Sequence, residues 1–190
     1  MRSMKPTGTG PKPLALPVTE ADHRIARLVL LALGLSLLDA AIPSPLPGVK
    51  PGFANIVVLL ALLRYGWRVA AWVSLVRVLA VSLLLGSFLA PGFWLALGGA
   101  LASLAALALV RGLPRRWFGP VSLSVPAALA HTAGQLGIAW AWLLPSAGVL
   151  SLAPVFSLSA LASGTLNGLI VARLLVAQSA AGAQSTHEPA

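Results

Sequence analysis

The chain has 190 residues, of which 58% are hydrophobic and only 9% are charged, a composition typical of proteins that lie in a lipid bilayer. Thirteen Lys and Arg against four Asp and Glu give a net charge of +9, but these cations lie between apolar runs, which argues against a nucleic-acid-binding domain. The absence of cysteine excludes disulfides and thiolate metal sites.

Six apolar segments are predicted to cross the membrane, because a spanning helix needs about 20 mostly apolar residues. This partition predicts an all-α integral membrane protein with one domain over residues 25–177 and flexible cytoplasmic tails at 1–24 and 178–190. The predicted spans are residues 25–42, 53–63, 69–90, 93–110, 121–144 and 150–177.

The second span is too short to cross the bilayer unaided. It follows the sequence PSPLPGVKPG, residues 43–52. Irregular backbone cannot face lipid at membrane depth, so this segment is predicted to form a partly re-entrant loop packed against protein. A merely short helix at which the bilayer thins is the alternative.

The distribution of cations predicts the orientation of the chain. Lys and Arg collect at alternate connections, whereas the other side of the membrane holds only Lys50. Cytoplasmic loops carry the excess of Lys and Arg, so both termini are predicted to be cytoplasmic and the protein to lie in the cytoplasmic (inner) membrane.

Polar residues inside the spans are predicted to lie at a similar depth. Asp39, Asn55, Arg77 and His131 belong to four different spans, and Gln135 follows His131 by one helical turn on the same face. Ionisable groups within a membrane are expensive unless they are paired or hydrated, and they therefore often mark functional sites.

Two interpretations of these residues remain open. In the structural one, Asp39 and Arg77 form a buried ion pair, while Asn55 and Gln135 hydrogen-bond between helices. In the functional one, Asn55, Arg77, His131 and Gln135 line a pocket that is open to the outside and covered by the loop of Lys50. The forked donors of Arg77, supplemented by Lys50, would then bind an anionic or zwitterionic solute.

Small residues four apart form stripes along several spans, the first of which is Ala32, Ser36 and Ala40. Such stripes let helix backbones approach closely. They indicate internal packing, or in the first span a docking face for a separate membrane subunit.

Several motifs are missing from the sequence. It has no Gly-rich loop ending in Gly-Lys-Ser/Thr, no Asp-Asp pair and no His or carboxylate spacing typical of a metal site. The sequence therefore predicts no catalytic residue, no bound metal, no cofactor and no ATP hydrolysis by this chain alone.

Three motifs carry a resemblance to a known family. They are Gly-x-Lys-x-Gly-x-Ala-Asn at residues 48–55, the arginine at 77, and His-x-x-x-Gln at residues 131–135. With them, residues 28–174 resemble the Gx transporter family, whose members are also labelled heptaprenyl diphosphate synthase component I. This family is similar to the S components of energy-coupling factor transporters.

The resemblance implies a six-helix subunit that binds a small solute from outside and relies on a transmembrane coupling subunit and ATPases for uptake. It also implies that Ala32, Ser36 and Ala40 contact the coupling subunit. A membrane component associated with heptaprenyl diphosphate synthesis is an alternative function, and a structural assembly subunit is another.

Overall fold

The computed structural model describes residues 18–43, 52–110 and 119–185. These residues form helices and no strand, so the predicted all-α class is confirmed. A π-helical turn, Ala139–Leu143, continues the fifth helix directly. The helices are α1 (Glu20–Ala41), α2 (Ala54–Tyr65), α3 (Trp67–Leu84), α4 (Pro91–Val110), α5 (Pro120–Ile138), α6 (Ala147–Ser151) and α7 (Ala153–Ser185).

Three helices in the described ranges are long and apolar enough to cross a membrane, namely α3, α4 and the part Ala153–Ala180 of α7. Their outer faces carry exposed leucines such as Leu83, Leu109 and Leu158, which suit a lipid environment. These features indicate a membrane protein. The short helix α2 is apolar as well, and the count of six spans stays a prediction.

Three of the predicted segment boundaries differ from the structure. The third span was expected to reach Ala90, but α3 ends at Leu84, and Gly86 and Leu89 then adopt positive φ angles of 64° and 63° in a turn. A glycine with positive φ is a common helix terminator. The predicted C-terminal tail is helical as far as Ser185, because its alanine-rich sequence has a high helix propensity.

The first helix also begins earlier than expected, at Glu20. Thr19 and Asp22 form a capping box, in which the Thr19 amide donates to Asp22 Oδ2 at 2.8 Å. This hydrogen bond holds the pKa of Asp22 below its usual range. The helix therefore includes residues that were predicted to belong to the N-terminal tail.

Helices α4, α5 and α7 approach one another closely at glycines. A methyl group added to Gly134 on α5 would lie 2.5 Å from the carbonyl oxygen of Gly98 on α4. One added to Gly168 on α7 would lie 2.6 Å from Cα of Val121 on α5. Only glycine permits backbones to come this close, so these contacts fix α4, α5 and α7 as one packed layer.

The bundle has two chemically different ends. At one end, which we call the arginine end, α1 begins, α2 ends and α3 begins, and Arg24 lies over the ring of Tyr65 at 5.1 Å. The described residues that place exposed cations at the arginine end are Arg24, Arg27, Arg64, Arg68 and Arg173. The opposite end, where α1, α3 and α5 finish and α4 and α7 begin, contains the cavity described next.

Candidate functional site

A cavity of about 400 Å³ opens between the helices at the end opposite the arginine end. It receives side chains from α1, α2, α3, α4, α5 and α7, so most of the described bundle contributes to it. Its polar lining residues are Ser36, Asp39, Asn55, Arg77, Ser82, Ser87, His131, Thr132, Gln135, Ser159 and Ser163.

Arg77 is the most deeply buried cation of the described chain. It is 9% exposed, and its Nε has no hydrogen-bond partner among the described residues. Buried donors are nearly always satisfied in proteins, so an Nε without a partner among the described residues makes Arg77 a candidate site residue. Arg77 can offer forked donors to a carboxylate or phosphate.

Asn55 lies in the first turn of α2, and a hydrogen bond from another helix fixes the start of α2. The carbonyl of Gly52 accepts from the Asn55 backbone amide at 2.9 Å and from Nδ2 of Asn167 on α7 at 3.1 Å. Asn167 is only 2% exposed and lies far along α7. Helix α2 therefore begins deep inside the bundle, with Gly52 and Asn55 both lining the cavity.

His131 packs against the backbone of α4 with the face of its imidazole toward Gly99. A methyl group added to Gly99 would lie 2.8 Å from both Cε1 and Nε2 of the imidazole, so the glycine provides the space for the ring. His131 Nδ1 is buried and has no hydrogen-bond partner in the described ranges. Gln135 lies one turn further along α5 and lines the same cavity, as does Thr132.

The four membrane residues that the sequence predicted as a binding site, Asn55, Arg77, His131 and Gln135, thus line one cavity. Their role in binding a solute stays a prediction. The fifth predicted residue, Lys50, lies outside the described residues together with most of the predicted re-entrant loop.

Asp39 lines the cavity too, and its carboxylate is near enough to Arg77 for an electrostatic interaction. The two charges can therefore stabilise each other, and the predicted ion pair stays a candidate. It does not engage every donor of the guanidinium, since Nε has no partner among the described residues. The structural and functional interpretations of Arg77 are consequently compatible.

The small-residue stripe of α1 faces inward. Ala32 is fully buried in a cluster with residues of α2 and α3, while Ser36 and Ala40 line the cavity. Ser36 also donates to the carbonyl of Ala32 at 2.7 Å. This placement favours internal packing of the stripe, and docking of a second subunit on it stays a prediction.

The sequence did not single out the aromatic residues of the cavity. Phe93 and Phe156 line it, and Phe93 is held between Phe88 and Trp94 at ring-centroid distances of 5.2 and 5.3 Å. Trp142, from the π-helical turn, meets Trp94 edge to face at 6.1 Å. A phenylalanine in an apolar segment can face either lipid or a cavity, so composition did not indicate that these two residues line the cavity.

A second, much smaller cavity of about 20 Å³ lies beneath Asn55 and Ala128, which line both cavities. It also touches Ser103, Ser124 and Asn167, whose Oδ1 is buried without a partner in the described part of the chain. A space of this size has room for one water molecule with polar partners.

The described residues include no group of three or more His, Cys, Asp or Glu arranged to hold a metal ion. The main cavity offers hydrogen-bonding and charged side chains from its polar lining.

The bundle and its cavity define a helical membrane protein with an internal polar site. Residues 28–174 match the sequence model of the family described as heptaprenyl diphosphate synthase component I, and the chain belongs to this family. The resemblance to heptaprenyl diphosphate synthase component I seen in the sequence is thereby confirmed, whereas the relation to the Gx transporter family and to S components stays a prediction. No curated protein and no solved structure matches the chain significantly.

Proposed function

We propose that this chain is a membrane subunit that binds a small anionic or zwitterionic solute in the cavity around Arg77, for uptake with partner subunits. The observation that carries this proposal is the buried guanidinium of Arg77, with an unpartnered Nε, in a cavity of about 400 Å³. A cavity of this size with a few converging polar groups is typical of small-molecule sites.

The energetics of burial support an anionic ligand. A cation at membrane depth costs several kcal/mol unless it is paired or hydrated, and a carboxylate or phosphate of the solute would supply further acceptors to the guanidinium beside the charge of Asp39. Asn55, His131 and Gln135 add neutral hydrogen-bonding groups around the same space. They would fix the orientation of the solute rather than provide most of its affinity.

The exposed arginines and the cavity lie at opposite ends of the bundle, and this arrangement supports a cavity that opens to the outside. The exposed cations Arg24, Arg27, Arg64, Arg68 and Arg173 lie at the other end, and cationic ends of membrane helices face the cytoplasm. Both termini would then be cytoplasmic in a six-span arrangement, with the chain in the cytoplasmic membrane. The deep start of α2 supports a re-entrant segment before it.

Uptake would require energy from other subunits, in the manner of the S components that the Gx transporter family resembles. The sequence contains no Gly-rich loop ending in Gly-Lys-Ser/Thr with which to hold ATP phosphates. A transmembrane coupling subunit and ATPases are the proposed partners. The purified chain alone should consequently bind its solute without moving it across a membrane.

The test is native mass spectrometry of the full chain purified in mild detergent, with a search for a co-purifying small molecule. We expect wild type to retain a solute and Arg77→Gln to lose it. Arg64→Gln is the matched control, because Arg64 is an exposed arginine at the opposite end of the bundle. Equal retention by wild type and Arg77→Gln would contradict a role of Arg77 in binding.

A second candidate function follows from the family description, which names a component of heptaprenyl diphosphate synthase. In this role the chain would be the membrane component of a synthase and would work with a partner subunit. Prenyl diphosphate synthases resemble one another in aspartate-rich magnesium sites, and this sequence has only four acidic residues. The magnesium-dependent chemistry would therefore reside in the partner.

The two candidates are separated by an assay for magnesium-dependent prenyl transfer, using the purified chain alone and together with a partner synthase subunit. Prenyl transfer that depends on this chain would favour the synthase role. Co-purification of a solute with a coupling subunit, and no effect on prenyl transfer, would favour solute capture.

A further inference from the structure

The walls of the main cavity change character with depth. Arg77 lies eight residues before Leu85 on the same side of α3, so the two are separated by about 12 Å along the helix axis. Ser163 lies seven residues beyond Phe156 on α7, again about 10 Å deeper. Arg77 and Ser163 therefore lie towards the floor of the cavity, whereas Leu85, Phe93 and Phe156, together with Ser87, lie near its mouth.

The apolar mouth is held rigidly. Phe93 is 5% exposed and is fixed by contacts with the rings of Phe88 and Trp94. Phe156 lies in the first turn of α7 and is half-buried, so part of its ring is available to the cavity. Rigid aromatic walls bind apolar groups with little loss of side-chain entropy.

We infer that the ligand is an elongated organic anion whose charged group contacts Arg77 and whose apolar body lies between Phe93 and Phe156. This inference rests on the proposed binding of an anion in the cavity and adds the chemical class of the solute. A small, wholly polar ion would occupy the floor and leave the aromatic mouth against water. An apolar chain of several carbons would instead cover the accessible part of Phe156 and the wall beside it, which is favourable in proportion to the area buried.

The experiment measures affinities of the full chain in lipid nanodiscs by calorimetric titration with acetate, butyrate and hexanoate. Titrations into empty nanodiscs correct for partition into lipid. We expect the affinity to rise about fourfold for each methylene group that enters the mouth. Hexylammonium, which has the same apolar chain with the opposite charge, is expected not to bind.

Two variants distinguish the contribution of the cavity floor to the affinity from that of the cavity mouth. Phe156→Ala should reduce the gain from butyrate to hexanoate by several-fold and should affect acetate much less than hexanoate. Arg77→Gln should weaken all three anions by a similar factor. Leu158→Ala is the control for Phe156→Ala, because Leu158 lies on the same helix and is 70% exposed on its outer face.

Affinities that do not depend on chain length would overturn this inference, as would equal binding of hexanoate and hexylammonium or no binding of any of the anions. The proposed function is decided separately. Retention of a solute in native mass spectrometry, lost in Arg77→Gln, would leave solute capture intact even if the anion series showed no preference for an apolar chain.

Discussion

Asn167 joins two parts of the fold that lie 115 residues apart in sequence. Its Nδ2 donates to the carbonyl of Gly52 at the start of α2, and its side chain is almost completely buried. Gly52 has a positive φ of 70°, so the backbone turns sharply at the point that this hydrogen bond holds. Asn167 thereby fixes the entry of α2 and the location of Asn55.

We expect Asn167→Leu to lower the free energy of unfolding by about 1 kcal/mol, because the carbonyl of Gly52 keeps only its hydrogen bond from the Asn55 backbone amide. Thermal unfolding in detergent followed by intrinsic fluorescence measures the change. Thr165→Val is the control on the same helix, since the exposed Thr165 hydroxyl bonds only to the carbonyl of Leu161 in its own helix. Equal melting temperatures for the two variants would contradict the role given to Asn167.

The imidazole of His131 depends on the absence of a side chain at Gly99. In Gly99→Ala the new methyl group would meet the ring at less than 3 Å, so the ring must shift within the cavity. We expect lower retention of solute in native mass spectrometry together with a lower melting temperature. Gly34→Ala is the matched control, because nothing lies within 4 Å of the added group and alanine favours the helix by about 1 kcal/mol.

At the scale of helices, the packing of α5 between α4 and α7 is determined by glycines rather than by large apolar side chains. Gly98, Gly134, Gly164 and Gly168 all have neighbouring main-chain atoms within 3.3 Å of where a methyl group would lie. In a bilayer, helices associate through such close contacts because lipid removes most of the hydrophobic driving force. The width of the cavity between α4, α5 and α7 therefore depends on these four positions.

Gly168→Ala should force α7 away from α5, because the added methyl group would lie 2.6 Å from Cα of Val121, a main-chain atom that cannot rotate aside. We expect a loss of about 1–3 kcal/mol, as for overpacking of a filled core. Gly137→Ala on α5, where nothing lies within 4 Å of the added group, should be neutral or slightly stabilising. Thermal unfolding of the pair measures the difference.

The sequence predicted helical elements from apolar runs, but not their ends. Gly86 lies within an apolar run, and its positive φ ends α3 earlier than hydropathy suggests, although a glycine near a helix end is a known stop signal. The alanine-rich C-terminal residues were taken as a tail because they lack bulky side chains, yet alanine is the strongest helix former. Hydropathy indicates which segments can lie in lipid, but it carries little information on the residue at which a helix ends.

The polar residues of the site could be predicted from the sequence, because Asn55, Arg77 and His131 are costly inside a membrane and helix geometry gives their depth. The close contact at Gly99 and the hydrogen-bond partner of Asn167 could not be predicted, since they depend on which helices are neighbours. That information is contained in the packing of α2 against α7 and of α4 against α5.

At the scale of the whole molecule, the opposed arginine end and cavity end predict which residues face each side of the membrane. The chain contains no cysteine, so single cysteines can be introduced without a background signal. Ser146 is exposed near the cavity end, and Ser179 is exposed towards the other end of α7. In intact cells, an impermeant maleimide should label Ser146→Cys and should label Ser179→Cys only after permeabilisation.

The opposite labelling pattern would mean that the cavity opens to the cytoplasm and that the positive-inside rule does not decide the orientation of this chain. Labelling of both variants in intact cells would indicate a leaky membrane preparation, which a cytoplasmic marker enzyme tests directly.

The depth of Arg77 also has an electrical consequence. About 15 Å of helix separates it from Trp67 at the arginine end, so a water-filled cavity would concentrate the membrane voltage across that remaining half of the bundle. In the proposed orientation, an anion reaches Arg77 almost without working against the field. Its onward movement to a negative interior would cost about 2.3 kcal/mol per charge for each 100 mV, a step that needs outside work.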